Sequence, residues 1–175
     1  MLAAFTEMIS GQAGPQTEFL RTSADICIYG GAAGGGKSVG LILEPLRHVG
    51  RVANFTAVFF RRTMPQITNP GALWDESLKF YPRVGGTPHV GVREWRWARG
   101  GKIKFAHLQF EATVYDWQGA QIALICFDEL THFTARQFFL HGQPQSLDLR
   151  RAALHPCDVQ PGRGQLGGGL FGVVD

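Results

Sequence analysis

Residues Gly31-Ala32-Ala33-Gly34-Gly35-Gly36-Lys37-Ser38 fit the spacing GxxxxGK[ST] at every fixed position. A loop that wraps a polyphosphate with backbone N–H groups must carry side chains that are absent or tiny. Here every residue between Gly30 and Lys37 is Gly or Ala. In such a loop Lys37 reaches the terminal phosphates and the Ser38 hydroxyl ligates Mg²⁺. A second centre stands at Asp128-Glu129, directly after the apolar run Gln121–Phe127. Asp128 at a strand tip can hold Mg²⁺, directly or through water. Glu129 is then placed to polarise an attacking water as general base. An Asp-Glu pair can equally cap a following helix, so the catalytic reading leans on the phosphate loop upstream. Together they predict an ATP- and Mg²⁺-dependent nucleotide triphosphatase.

The elements that would position these residues are legible around them. Pro15-Gln16-Thr17-Glu18-Phe19-Leu20 reads as a helix opening at Pro15. Asp25–Gly30 is a short apolar run bounded by turn residues, expected to be a parallel strand buried on both faces. Lys37–Leu43 begins a helix that Pro45 ends or kinks. Phe55–Arg62 is a second buried strand, Gln121–Phe127 a third, and Thr134–Leu140 a short helix. A helix follows Asn69-Pro70-Gly71 through Leu73, Trp74, Leu78 and Phe80. Arg93–Phe105 reads as a hairpin turning at Gly100-Gly101. Its one face carries Trp95, Trp97, Ile103 and Phe105, and its other face is mostly basic. The Trp pair is expected in the core rather than stacked on bases, because Ile103 and Phe105 share its face. Strands alternating with helices predict an α/β fold with a mainly parallel sheet. In such a sheet ligands bind beyond the carboxyl ends of the strands, where both motifs fall.

Bulk properties set the outer limits. A chain of 175 residues has room for one domain with a sizeable core. Net charge is only +3, but residues 61–104 hold nine Lys/Arg against three acids. That stretch is either a solvated face or a contact for an anionic partner. Cys27, Cys126 and Cys157 show no CxxC spacing, and the six His show none of zinc type. Free thiols are the expectation. His132 reads as a surface or sensor-like residue rather than a metal ligand. No signal peptide and no membrane-length apolar run is visible.

The combination of YGGAAGGGKS (29–38), FFRRTMPQI (59–67), WRWARGGKIKF (95–105) and GAQIALICFDELTHF (119–133) resembles the ATPase domain of the large terminase subunit of tailed bacteriophages. The resemblance covers about residues 14–140. It implies an additional-strand (ASCE) P-loop NTPase fold and ATP hydrolysis coupled to translocation of double-stranded DNA into a capsid. It implies backbone contacts to DNA, a portal ring, a small terminase subunit and a homo-oligomeric ring as partners. It places the chain in the bacterial host cytoplasm, as a phage or prophage protein. By the same resemblance Gln16 is an adenine-side residue, and Arg61 or Arg62 stabilises charge on the γ-phosphate. The alternatives are a degenerate prophage remnant that binds nucleotide without packaging, or another P-loop DNA-dependent ATPase.

The domain reading is a partial ATPase domain over 1–141 and an irregular tail over 142–175, with no nuclease domain recognisable. The tail holds seven Gly and three Pro in 34 residues and shows no strand or helix period. With synonymous codons free, Pro156–Gly167 can be encoded so that the frame one base later reads RATCNPDADSW. That string is similar to the coupling segment of large terminases. The expectation is therefore a shift of reading frame near Phe139–His141, leaving the sheet incomplete at its C-terminal end.

Overall fold

The computed structural model describes residues 11–22, 24, 26–31, 35–141 and 170–174. Their elements run α1 (Pro15–Arg21), β1 (Ile26–Gly30), α2 (Lys37–Leu43), α3 (Leu46–Val49), β2 (Thr56–Arg61), α4 (Pro65–Thr68) and α5 (Leu73–Phe80). Then follow β3 (Thr87–His89), β4 (Glu94–Arg96), β5 (Lys102–His107), β6 (Leu124–Phe127), α6 (Ala135–His141) and β7 (Leu170–Val174). The strands form one sheet in the order β1-β7-β6-β2-β5-β4-β3. Its first five members pair in parallel, and β4 and β3 add on antiparallel.

Strand β2 shows why the sheet is two-sided. Successive strand side chains point to opposite faces. Ala57 and Phe59 enter one core with Leu41, Ile42, Trp74, Trp95 and Phe105. Val58 and Phe60 enter the other with Leu108, Ile125, Phe127 and Phe138. An apolar run without polar alternation is what burial on both faces requires, and Phe59 and Phe60 are fully buried.

Strand β1 departs from the expectation. It is parallel, but it lies at the end of the sheet. Cys27 and Tyr29 pack against the first core, whereas Ile26 and Ile28 are 51% and 55% exposed. An edge strand covered by helices on one face leaves its other face open.

Residues 170–174 also depart from the irregular tail read in the sequence. Leu170–Val174 forms β7, pairing in parallel with β1 on one side and β6 on the other. A short apolar run among glycines carries too little period to be read as a strand. The remainder of 142–175, including Cys157 and the frame-shift reading, lies outside the described residues.

The hairpin is formed as expected. Gly100 takes φ 80, and a Cβ there would run into the Asn54 Oδ1. Trp95 and Trp97 are buried, with Trp95 fully so. The Trp95 indole N–H donates to Ser77 Oγ at 2.9 Å, and that of Trp97 donates to the Val84 carbonyl at 3.0 Å. Trp95 also packs edge-on to Tyr81, with ring centroids 5.4 Å apart. Replacing Trp95 with Ala is expected to cost about 3–5 kcal/mol of stability, since it opens a cavity under the sheet. A denaturant unfolding midpoint measured on both proteins checks this.

Candidate nucleotide site

The site gathers at the carboxyl ends of β1, β6 and β2. Strand β1 delivers the chain into the loop, and α2 receives it at Lys37. Gly36 takes φ 71, in the left-handed region that glycine alone adopts freely. Its carbonyl accepts the Gly40 N–H at 2.9 Å, which starts the helix. Helix α2 leaves its first N–H groups without intrahelical partners, facing the loop. Ala32, Ala33 and Gly34 lie outside the described residues.

Three side chains brace the described ends of the loop. The Gln16 amide donates to the Gly36 carbonyl at 2.8 Å. The Tyr29 hydroxyl donates to the Gly35 carbonyl at 3.1 Å. Lys37 Nζ donates to the Gly31 carbonyl at 2.6 Å, so its ammonium reaches back across the loop. Gln16 and Lys37 are both buried, 3% and 8% exposed. A Cβ on Gly36 would meet Gln16 Nε2 at 2.9 Å, and one on Gly40 would meet Gln16 Cγ at 3.3 Å. The glycines are thus demanded by Gln16 as well as by the loop. Beside them lies a cavity of about 300 Å³, lined by Pro15, Gln16, Tyr29, Gly31, Gly35 and Lys37. Sequence reasoning missed Tyr29. Its signal was a Tyr directly before the first loop glycines, on the same strand face as Cys27 and stacked on Phe19 at 5.2 Å.

The acidic pair sits opposite. Asp128 is 1% exposed, and its backbone N–H donates to the Phe60 carbonyl at 3.0 Å. Asp128 Oδ1 lies 3.5 Å from Ser38 Oγ. Two oxygen donors 90 positions apart in the chain thus share one point, a donor set suited to a hard divalent cation. Residues and group fit: Ser38 and Asp128 would hold Mg²⁺, with the loop and Lys37 on the phosphates. Among the described residues no group of three or more His, Cys, Asp or Glu side chains could hold a metal ion.

Glu129 takes φ 56 and ψ 62, a left-handed backbone that a non-glycine residue adopts at a cost of order 1 kcal/mol. The short 3₁₀ turn Leu130–His132 follows, closed by the His132 N–H on the Glu129 carbonyl at 3.0 Å. That turn folds His132 Nδ1 back to 3.0 Å from Glu129 Oε2.

Arg61, the last residue of β2, joins both acids. Its Nε donates to Asp128 Oδ2 at 2.7 Å, Nη2 pairs with the same oxygen, and Nη1 is 2.8 Å from Glu129 Oε1. Arg62 points elsewhere. Its Nη1 donates to Gln137 Oε1 at 3.0 Å. Gln137 is fully buried and donates in turn to the Leu108 carbonyl at 3.1 Å. The sequence offered both arginines, and the fold brings only Arg61 to the carboxylates.

The two described cysteines, Cys27 and Cys126, take no part. Burial pushes the Cys126 thiol well above its usual range, and Glu44 and Asp128 push it further. Burial and Glu44 likewise raise Cys27. Both are free, neutral thiols. No helix among the described residues is long and apolar enough to cross a membrane.

No curated protein matches the chain in sequence. Among solved structures, the large terminase ATPase domain of Thermus phage P74-26 is similar with a TM-score of 0.61, at 11% identity. That match covers 93% of this chain and 64% of the other. The large terminase of a second thermophilic bacteriophage, in complex with ADP, gives a TM-score of 0.57 at 14% identity, covering 91% and 38%. The chain thus spans less than two thirds of either structure. These likenesses establish a P-loop fold of the additional-strand type. The family described as "Terminase large subunit, T4likevirus-type, N-terminal" matches residues 28–143, well over half of the sequence, and the chain belongs to it.

Proposed function

We propose that the chain is the ATP-hydrolysing part of a phage DNA-packaging motor. The observation that carries this reading is the meeting of Ser38 with Asp128, with Arg61 tying Asp128 to Glu129. Bound Mg²⁺ would supply charge neutralisation between the β- and γ-phosphates. Gly31–Gly36 and Lys37 cradle the phosphates. Ser38 and Asp128 would hold the metal. Glu129 takes the proton of the attacking water. Arg61 is the arginine of the site. It holds both carboxylates and stands beside the place where γ-phosphate charge develops. Arg62 serves the β2–α6 contact instead.

Gln16 and Tyr29 line the cavity beside the loop, the side this reading gives to the adenine and ribose. Gln16→Ala removes one buried hydrogen bond on the loop, and the net loss is about 1 kcal/mol. Nucleotide affinity is expected to fall roughly five-fold, read by equilibrium titration with ADP.

In the motor, double-stranded DNA is the translocated partner, and a portal ring, a small terminase subunit and further copies of the chain complete the assembly in the host cytoplasm. A second reading, nucleotide binding without turnover, is favoured by one observation: Glu129 is engaged by Arg61 on one oxygen and His132 on the other. Phosphate release from ATP by the purified chain, with and without Mg²⁺, separates the two. Turnover supports the motor ATPase, and tight binding with no release supports the remnant.

A further inference from the structure

The cations of residues 61–104 do not form one face. Arg61 is taken by Asp128 and Glu129, Lys79 pairs with Glu76, and Arg96 pairs with Glu94. Arg62 is held by Gln137. Arg93 and Lys104 lie over the rings of Trp74 and Trp117, at 5.5 and 5.6 Å. Most of the charge that looked available in the sequence is already engaged.

A different group emerges where two loops meet at the amino ends of β2 and β5. Arg51, Arg99 and Lys102 are all exposed there. Among the described residues, neither Arg51 nor Lys102 has a side-chain hydrogen bond or ion pair. Arg99 uses one guanidinium N–H on the Gly50 carbonyl at 3.2 Å, leaving most of its donors for a partner. No Asp or Glu occurs in residues 45–55 or 97–103. The two loops are locked together. The Asn54 N–H donates to the Arg99 carbonyl at 3.1 Å, and the Lys102 N–H to the Phe55 carbonyl at 2.7 Å. Asn54 and Gly100 both take left-handed backbone, φ 55 and φ 80. With its backbone fixed, the rim has only side-chain freedom to lose when it meets a polyanion.

We propose that this rim of Arg51, Arg99 and Lys102 is a contact surface for the phosphate backbone of double-stranded DNA. The inference rests on the packaging reading, which supplies the duplex as the anionic partner. Exposed Arg and Lys that meet backbone phosphates give sequence-independent, salt-sensitive contact. The rim lies at the opposite end of β2 from Arg61. Six strand residues span about 20 Å, so DNA contact and nucleotide chemistry fall at two ends of one strand. Changes at the rim therefore leave the nucleotide site intact.

The test is fluorescence anisotropy of a labelled blunt duplex over a salt series, using the full 175-residue chain. Each phosphate contact contributes about 0.9 to the slope of log K against log salt. The variant Arg51→Gln/Arg99→Gln/Lys102→Gln is expected to flatten that slope by about 2 to 3 and to weaken binding at least tenfold at the lowest salt. Arg51→Glu/Lys102→Glu keeps the Arg99 tether and guards against loss of folding; it is expected to weaken binding at least as much. Lys79→Gln/Arg83→Gln, which removes two positive charges away from the rim against three in the first variant, should bind as the wild type does. Wild-type slope in the rim variants, equal loss in the control, or no duplex binding by the wild type would each overturn the proposal. ADP titration on the same samples keeps the inferences apart. ADP bound without duplex sinks the rim alone, whereas no ADP bound by the wild type sinks the nucleotide reading.

Discussion

Glu129→Gln is expected to bind ATP about as well as the wild type and to hydrolyse it roughly 10²–10⁴-fold more slowly. The amide keeps the size of the carboxylate and can still meet Arg61 and His132, but it accepts no proton from water. Glu129 is also held in a left-handed backbone by the turn that follows it. Strain at such a position persists only where its surroundings impose it, and here the side chain it aims is flanked by Arg61 at 2.8 Å and His132 at 3.0 Å. Single-turnover hydrolysis beside a nucleotide titration reads both quantities. A variant that lost binding and turnover together would assign Glu129 a holding role, not a base's.

Lys37→Ala is expected to weaken nucleotide binding itself. The ammonium is buried and crosses the loop to the Gly31 carbonyl, so the change deletes a positive charge at the phosphates and a tie between the loop's two ends. A buried charged hydrogen bond contributes about 1.5–3 kcal/mol, which corresponds to a loss of roughly ten- to a hundred-fold in ATP affinity. Titration with ATP and ADP checks the size of the loss, which should be greater for ATP because Lys37 addresses the terminal phosphates.

How much of this could be read from residues alone follows from where the information lies. Gly31–Ser38 and Asp128-Glu129 are legible because their chemistry dictates side-chain size and type over a few adjacent positions. The core face of the hairpin is legible because alternation puts Trp95, Trp97, Ile103 and Phe105 together. What Arg61 does is not, since it depends on β2 and β6 being neighbours in register, with Phe60 opposite Phe127. Arg61 and Arg62 are equivalent as text, and the pleat sends them to different partners. The open face of Ile26 and Ile28 depends on which strand ends the sheet, and strand β7 lies in a segment whose glycines hide any period. Which cations of the basic stretch stay available is not legible either, because engagement by Glu76, Glu94, Trp74 and Trp117 is a matter of packing and leaves no mark in a charge count.

The most direct measurement is the Mg²⁺ dependence of phosphate release from ATP by the purified chain under single-turnover conditions. The geometry of Ser38, Asp128 and Glu129 predicts release with Mg²⁺, none in excess chelator, and loss of release in Asp128→Asn with the fold intact. Release that persists in chelator or in Asp128→Asn, or a chain that binds no nucleotide, would contradict it.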